Sequence, residues 1–381
     1  MTDFDELRSR FPLLTEKTYL NSGSYAALED SVRAAFGDYL DDRVAVGANW
    51  EVWVTKTEAV RRTMAGILHA DVDEIAITTS TSAGINAVAS ALDFTGVRDT
   101  VVTTDFEFPT NAQIWHAQEP RGARVVHVHP DADGMITPEQ FAEAIDERTK
   151  LVAITHVCFR NGARLDIEAI AQLAHDKGAL VLLDCYQSVG SMTVHVKQLG
   201  VDFAVGGMYK YLLATAGVGF LYVRGSLIPT LVPTHSGWFA QADIGAMDIS
   251  GNHPSPTASR FEAGSPPVVA CYAAEAALAI IAEVGTDAIE QRVRVLSGQC
   301  MDRLAALGWL AVTPRDDDRR GAMVAIPSRD SAGLDSALAA HNIVTSHRDA
   351  NLRATFHCYN NDADVDAFIA AMAEMKDEFA P

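Results

Sequence analysis

Residues 180–190 read LVLLDCYQSVG and residues 201–224 read VDFAVGGMYKYLLATAGVGFLYVR. In the first stretch an apolar run ends on Asp184. In the second, Lys210 follows another apolar run. Short apolar runs rich in Val, Leu and Phe mark buried strands. An acid and an amine therefore stand where hydrophobic strands end. Removing either from water without a partner is expensive.

One chemistry needs this pair. Pyridoxal 5'-phosphate takes a lysine for its Schiff base and a carboxylate against its protonated pyridine nitrogen. A cationic pyridinium makes the ring an electron sink, and a fixed carboxylate keeps it protonated. The lysine must be partly desolvated so that its neutral form can attack the aldehyde. Lys210 and Asp184 are the expected catalytic residues, with pyridoxal 5'-phosphate as cofactor. A surface Asp ending a strand and a surface Lys starting a helix would explain each residue singly.

Around this stretch the chain alternates. EIAITT precedes TSAGINAVASAL, DTVVTTD precedes FPTNAQIWHAQ, ARVVHVHP precedes TPEQFAEAI, and KLVAITHV precedes DIEAIAQLAHDKG. Such alternation predicts βαβ units and a mostly parallel sheet with helices on both faces. Ligands in these sheets sit outside the carboxyl ends of the strands. Thr79, Phe108 and Asp184 each fall just past such an end. Residues 225–268 are rich in turn formers, and VVACYAAEAALAIIAEVG then reads as a long buried helix leading to a second unit. The last hundred residues alternate again. The expected layout is an N-terminal segment, 1–18, packing on the small domain; a large cofactor domain, 19–265; and a linking helix with a small α/β domain, 266–381.

With 381 residues, 48% hydrophobic and 21% charged, the chain can bury a large core. A formal net charge of −20 argues against nucleic acid and anionic membranes as partners. The N-terminal MTDFDELRSRF has no signal-peptide core, and no apolar stretch reaches membrane length. Five cysteines, an odd number without a CxxC pattern, suit the reduced cytoplasm. His127 and His129 share one face of a strand, but no third ligand adjoins them in sequence, so no metal is expected.

The segment FRNGARLDIEAIAQLAHDKGALVLLDCYQSVG, from Phe159 to Gly190, resembles the class V branch of fold-type I pyridoxal-phosphate enzymes. That branch includes kynureninase, cysteine desulfurases and isopenicillin N epimerase. Tyr209-Lys210-Tyr211-Leu212 is similar to the kynureninase-type Tyr-Lys-Tyr-Leu, and the resemblance extends from about Tyr19 to the C-terminus.

The resemblance implies a fold-type I α/β architecture: a large domain with a seven-stranded, mostly parallel sheet covered by helices, and a smaller α/β domain. It implies phosphate binding at Thr81 and Ser82, an aromatic stacked on the pyridine ring at Phe108, and a hydrogen bond from Gln187 to the ring's phenolic oxygen. Ser265, in a Gly-Ser-Pro-Pro segment, would reach the phosphate of a neighbouring subunit, making the active form a homodimer with shared sites. Arg353 would grip the α-carboxylate of an amino-acid substrate as a bidentate fork, with Asn21, Arg160 and Trp238 also on the substrate side. Two departures stand out. Tyr186 occupies a position that is commonly Ala packed on the ring. Gly207 stands where desulfurases place a phosphate-binding Ser, and Tyr209 is the expected replacement.

The stretch NIVTSHRDANLR, where desulfurases carry a mobile nucleophilic Cys, has none. Sulfur transfer through a persulfide is therefore disfavoured. The expected reaction is cleavage at the β-carbon of an amino acid, by a carbon–sulfur lyase or a kynureninase-like hydrolase, with Lys210 as α-proton base. Epimerisation and transamination are the alternatives. A non-catalytic ligand-binding protein on the same fold is the alternative from outside enzymology.

Overall fold

The computed structural model describes residues 3–381. The chain opens with α1 (Phe4–Ser9), a 3-10 turn and β1 (Thr18–Tyr19), followed by α2 (Asp30–Ala45) and α3 (Trp50–Leu68). Strands and helices then alternate: β2 (Ile75–Thr78), α4 (Thr81–Ala91), β3 (Thr100–Thr104), α5 (Pro109–His116), β4 (Arg124–Val128), α6 (Pro138–Ala144), β5 (Thr149–Thr155), α7 (Ile167–Asp176) and β6 (Leu180–Asp184). β7 (Phe203–Gly207) and β8 (Gly219–Val223) complete the series.

Strands β2 to β8 form one seven-stranded sheet in the order β2-β8-β7-β6-β5-β3-β4. Only β8 is reversed, lying antiparallel to both β2 and β7. The others pair in parallel. Every residue of β3, β7 and β8 is buried, as expected for strands covered on both faces. Helix starts follow local chemistry. Ser80 caps α4 by accepting from the Ala83 N–H at 3.1 Å, and Asp166 caps α7 by accepting from the Ala169 N–H at 3.1 Å.

After the sheet, α8 (Val268–Val284) and α9 (Thr286–Ala306) meet at 77° about Gly285. Then come β9 (Met323–Pro327), α10 (Ser331–Ala340), β10 (Ile343–Val344), β11 (Ser346–Arg348), β12 (Asn351–Thr355), α11 (Asp362–Glu374) and α12 (Lys376–Phe379). β11, β12 and β9 make an antiparallel sheet over a core that includes Leu296, Trp309, Val324, Leu352 and Phe368. Among the described residues no single helix is long and apolar enough to cross a membrane.

The two units interlock. Residues 19–21, expected to begin the large domain, lie on the small one: β1 pairs with β10, Leu20 enters the small core, and Asn21 bridges to Thr355. α8, expected to begin the C-terminal unit, instead packs on α2 and α3, with Cys271 and Leu278 in the large core. Arg8 ties the N-terminal segment to α11 through Asp364 at 2.8 Å. Residues 1 and 2 of that segment lie outside the described residues.

The carboxyl ends of β5, β6 and β7 open on one edge of the sheet. Because β8 returns antiparallel, the β7–β8 link is short and helix-free, and Lys210 lies on it. The loop after β6 docks on that link at Gly190, whose φ is +90° and whose absent Cβ would lie 2.6 Å from the Tyr211 carbonyl carbon. His357 Nε2 donates to the same carbonyl oxygen at 2.8 Å. Gly190→Ala therefore meets both a left-handed backbone and a collision. It should lower the unfolding free energy by about 2 kcal/mol or more, read as a lower urea midpoint at unchanged slope.

Candidate active site

β6 delivers Asp184 to the sheet edge, in register with Thr155 on β5 and Val205 on β7. Asp184 is buried and accepts the Tyr186 N–H at 3.0 Å. Burial pushes its carboxyl up to about 6, while the Tyr186 hydrogen bond and the charge of Lys210 pull the other way. Lys210 is buried too. Burial brings its amine down to about 8, Asp184 opposing and the charge of Arg353 reinforcing. A substantial share of the amine is thus neutral near physiological pH. Its Nζ lies 4.4 Å from the Tyr186 ring centroid and 5.8 Å from that of Phe108.

These residues line a cleft of about 150 Å³ together with residues 79–82, Thr155, Phe159, Gln187 and Tyr209. Thr81, Ser82, Phe108, Asp184, Gln187, Tyr209 and Lys210, all singled out from sequence, therefore converge on one space. Phe108 is 46% exposed, with its edge to Phe159 at 5.2 Å between centroids, so it is not a core residue. The N-terminus of α4 points its free N–H groups at the cleft wall, an arrangement suited to an anion.

Arg353, on β12, comes from the small domain and is 5% exposed. Its guanidinium donates to the Phe159 carbonyl at 2.7 Å and to the Ser346 hydroxyl at 3.1 Å. Arg353 is absent from the salt bridges among the described residues. A buried guanidinium without a counter-charge is costly and is ready for an anionic ligand.

Four buried polar atoms on sequence-predicted residues have no hydrogen-bond partner: Thr81 Oγ1, Gln187 Oε1, Arg353 Nε and Asn21 Oδ1. Buried polar groups are normally satisfied, so these mark unmet binding capacity. Gln187 donates its amide to the Gly23 carbonyl at 3.1 Å. As oriented it offers the cleft an acceptor, and turning the amide over would offer a donor. Five candidates, Asn21, Arg353, Arg160, Trp238 and Ser265, do not line the cleft. Arg160 is half-exposed, pairs with Asp349 at 3.0 Å and lies over the Phe159 ring. Trp238 stands edge-on to Trp50 at 5.9 Å, and Ser265 is exposed.

Sequence reasoning passed over Glu107. It is buried, with its carboxylate accepting from Thr104 Oγ1 at 2.7 Å, Asn111 Nδ2 at 2.7 Å and the Thr155 N–H at 2.8 Å. Burial raises it to about 8, against those hydrogen bonds and with help from the charge of Asp184. An acid between two phenylalanines directly ahead of Phe108 was the available signal. All five cysteines are free, buried and outside the cleft lining, and burial raises each thiol. His127 and His129 share Asp105, at 3.0 and 2.7 Å.

A buried amine and carboxylate in one cleft, two flanking rings, and a helix N-terminus beside an unsatisfied hydroxyl together fit pyridoxal 5'-phosphate. The chain is 33% identical to an uncharacterized aminotransferase of Bacillus subtilis, over 95% of each. It is 26% identical to a kynureninase of Pseudomonas fluorescens, covering 91% of this chain and 85% of that one. The apo structure of a cysteine desulfurase from Thermococcus onnurineus superposes with a TM-score of 0.87 at 25% identity, covering 98% of each chain. The model of the family described as Aminotransferase class-V matches residues 19–368. Fold, site and sequence therefore agree, and the chain belongs to the class-V aminotransferase family.

Proposed function

We propose that this chain, a pyridoxal 5'-phosphate enzyme by family, cleaves a bond at the β-carbon of an amino acid, as a carbon–sulfur lyase or a kynureninase-like hydrolase. The observation that carries the reading is the Lys210–Asp184 pair, desolvated in one cleft, with Arg353 held without a counter-ion on the carbonyl of Phe159, a residue of the cleft wall. Lys210 would hold the cofactor covalently and Asp184 would face its ring nitrogen. Thr81, Ser82 and the α4 N-terminus would take the phosphate, with Tyr209 beside them. Phe108 would cover the ring, and Gln187 would meet the phenolic oxygen. When bound, the cofactor supplies an electron sink for a carbanion at the substrate α-carbon.

Arg353 orients the substrate by its carboxylate, and Asn21 adds a polar contact from the same side. Lys210, neutral in good part near pH 8, removes the α-proton at Nζ. Asp184 stays ionised above about pH 6 and keeps positive charge opposite it. Arg353 ties the small domain to the cleft wall through the Phe159 carbonyl. With no cysteine lining the cleft, the described residues supply no thiolate to accept sulfur. The five free thiols support the reducing cytoplasm as the compartment. Transamination is the second reading, favoured by the Bacillus subtilis relative. A panel of amino acids analysed by product mass separates the two. Pyruvate or alanine from the substrate backbone supports β-cleavage, and the substrate's own 2-oxo acid overturns it.

Borohydride treatment of the yellow protein should fix the cofactor on Lys210 in a peptide map. Loading of cofactor-free protein should accelerate as pH rises through about 8, because the neutral amine attacks. An ordinary lysine, at 10.5, would put that midpoint far higher. Asp184→Asn removes the charge that holds the amine up, so the midpoint should move to lower pH.

Arg353→Lys keeps the charge and loses the two-pronged geometry. Losing a charge-assisted hydrogen bond costs on the order of 1.5–3 kcal/mol, so kcat/KM should fall about tenfold or more with the cofactor absorbance unchanged. A silent Arg353→Lys would remove carboxylate-bearing substrates.

We also propose a homodimer. Ser265 is exposed, and exposed apolar residues on α2, α3 and the 238–249 loops, Val44, Trp50 and Ile249 among them, suit a partner's surface. Light scattering should give twice the chain mass, and Trp50→Glu should halve it.

A further inference from the structure

Gly207 ends β7, behind the cleft-lining Tyr186. Its φ lies outside the left-handed region, so its backbone would accept any residue, and only space forbids one. A Cβ there would overlap the Tyr186 phenol, meeting the hydroxyl and Cζ and lying 2.5 Å from Cε2. The phenol therefore fills the volume that a side chain at 207 would occupy. Tyr186 cannot easily move aside. Its ring stands 5.3 Å from Tyr209 at 61°, and Tyr209 stacks on Tyr25 at 4.8 Å. Tyr186 and residues 79–82 line the same cleft.

We propose, building on the pyridoxal-phosphate reading, that Tyr186 and Gly207 form one coupled element: the Tyr186 hydroxyl is a hydrogen-bond donor to the phosphate monoester of the cofactor, and residue 207 is glycine to make room for it. Burial, reinforced by the neighbouring Tyr209 phenol, raises the Tyr186 phenol above its ordinary range. It stays protonated and available as a donor. The anionic oxygens would then face neutral donors, the Tyr186 phenol and Thr81 Oγ1, together with the N–H groups of α4, an arrangement that leaves Lys210 free of phosphate contact.

The test compares binding of pyridoxal 5'-phosphate and of pyridoxal, which lacks the phosphate, by fluorescence titration of cofactor-free protein. Tyr186→Phe should weaken pyridoxal phosphate roughly tenfold or more and leave pyridoxal unchanged. Gly207→Ser alone should lower the melting temperature and cofactor affinity. In the Tyr186→Ala background the same change should be tolerated and should recover phosphate-dependent affinity, so the two substitutions are strongly non-additive. Tyr186→Phe that binds both compounds like the wild type, or weakens both equally, overturns the donor role. Additive effects at 186 and 207 overturn the coupling. Failure of the underlying reading looks different: the wild type itself then gives no borohydride adduct at Lys210.

Discussion

An amine and a carboxylate taken out of water at neighbouring strand ends set the terms for the rest of this molecule. Burial dominates both. It lowers Lys210 and raises Asp184, and their mutual attraction only partly offsets it. Bringing the amine from 10.5 to about 8 amounts to about 3 kcal/mol of folding free energy. This is a large fraction of the stability of an ordinary domain. The sheet holds such a pair because its strands are buried on both faces and the surrounding loops are locked. Gly190 lies against Tyr211, and His357 donates to the Tyr211 carbonyl.

The site is also divided between two cores. Lys210, Asp184 and the α4 N-terminus belong to the seven-stranded sheet, whereas Arg353 and Asn21 travel with the small domain. The join is made by polar groups on backbone carbonyls, Arg353 on Phe159 and His357 on Tyr211, with few charged pairs. Carbonyl contacts of this kind hold geometry without neutralising charge, so the guanidinium keeps its full attraction for an incoming anion.

Much of this was legible from one chain. The alternation of short apolar runs and helical segments led to the parallel sheet, because strands covered on both faces need continuous apolar sequence. Asp184 and Lys210 were visible because charged residues rarely end such runs without purpose. α3 escaped notice, although Trp53, Val60, Met64 and Ile67 all face inward at helical spacing. Its charged residues between those positions masked the stripe. The placement of residues 19–21 on the small domain was beyond reach, because a two-residue strand paired with β10 across more than three hundred positions has no local signature. Glu107 was hidden for a related reason: its hydrogen-bonding partners include Thr155, which only the sheet brings near. Tyr186 and Gly207 each looked like an isolated departure. A collision in space, invisible along the chain, makes them one.

The reversal of β8 has a consequence for biosynthesis. β2 has a single neighbour in the sheet, and that neighbour is β8. A ribosome adding about 5–20 residues per second needs on the order of ten seconds to travel from one strand to the other. Throughout that interval β2 emerges with its hydrogen-bonding edge open, and the apolar face of α4 has no floor to rest on. Such edges invite the wrong partner. The wait ends when the link carrying Lys210 is made, since the strand that closes the edge follows directly after it. The nascent chain thus acquires its reactive amine and its last structural seal within the same few residues.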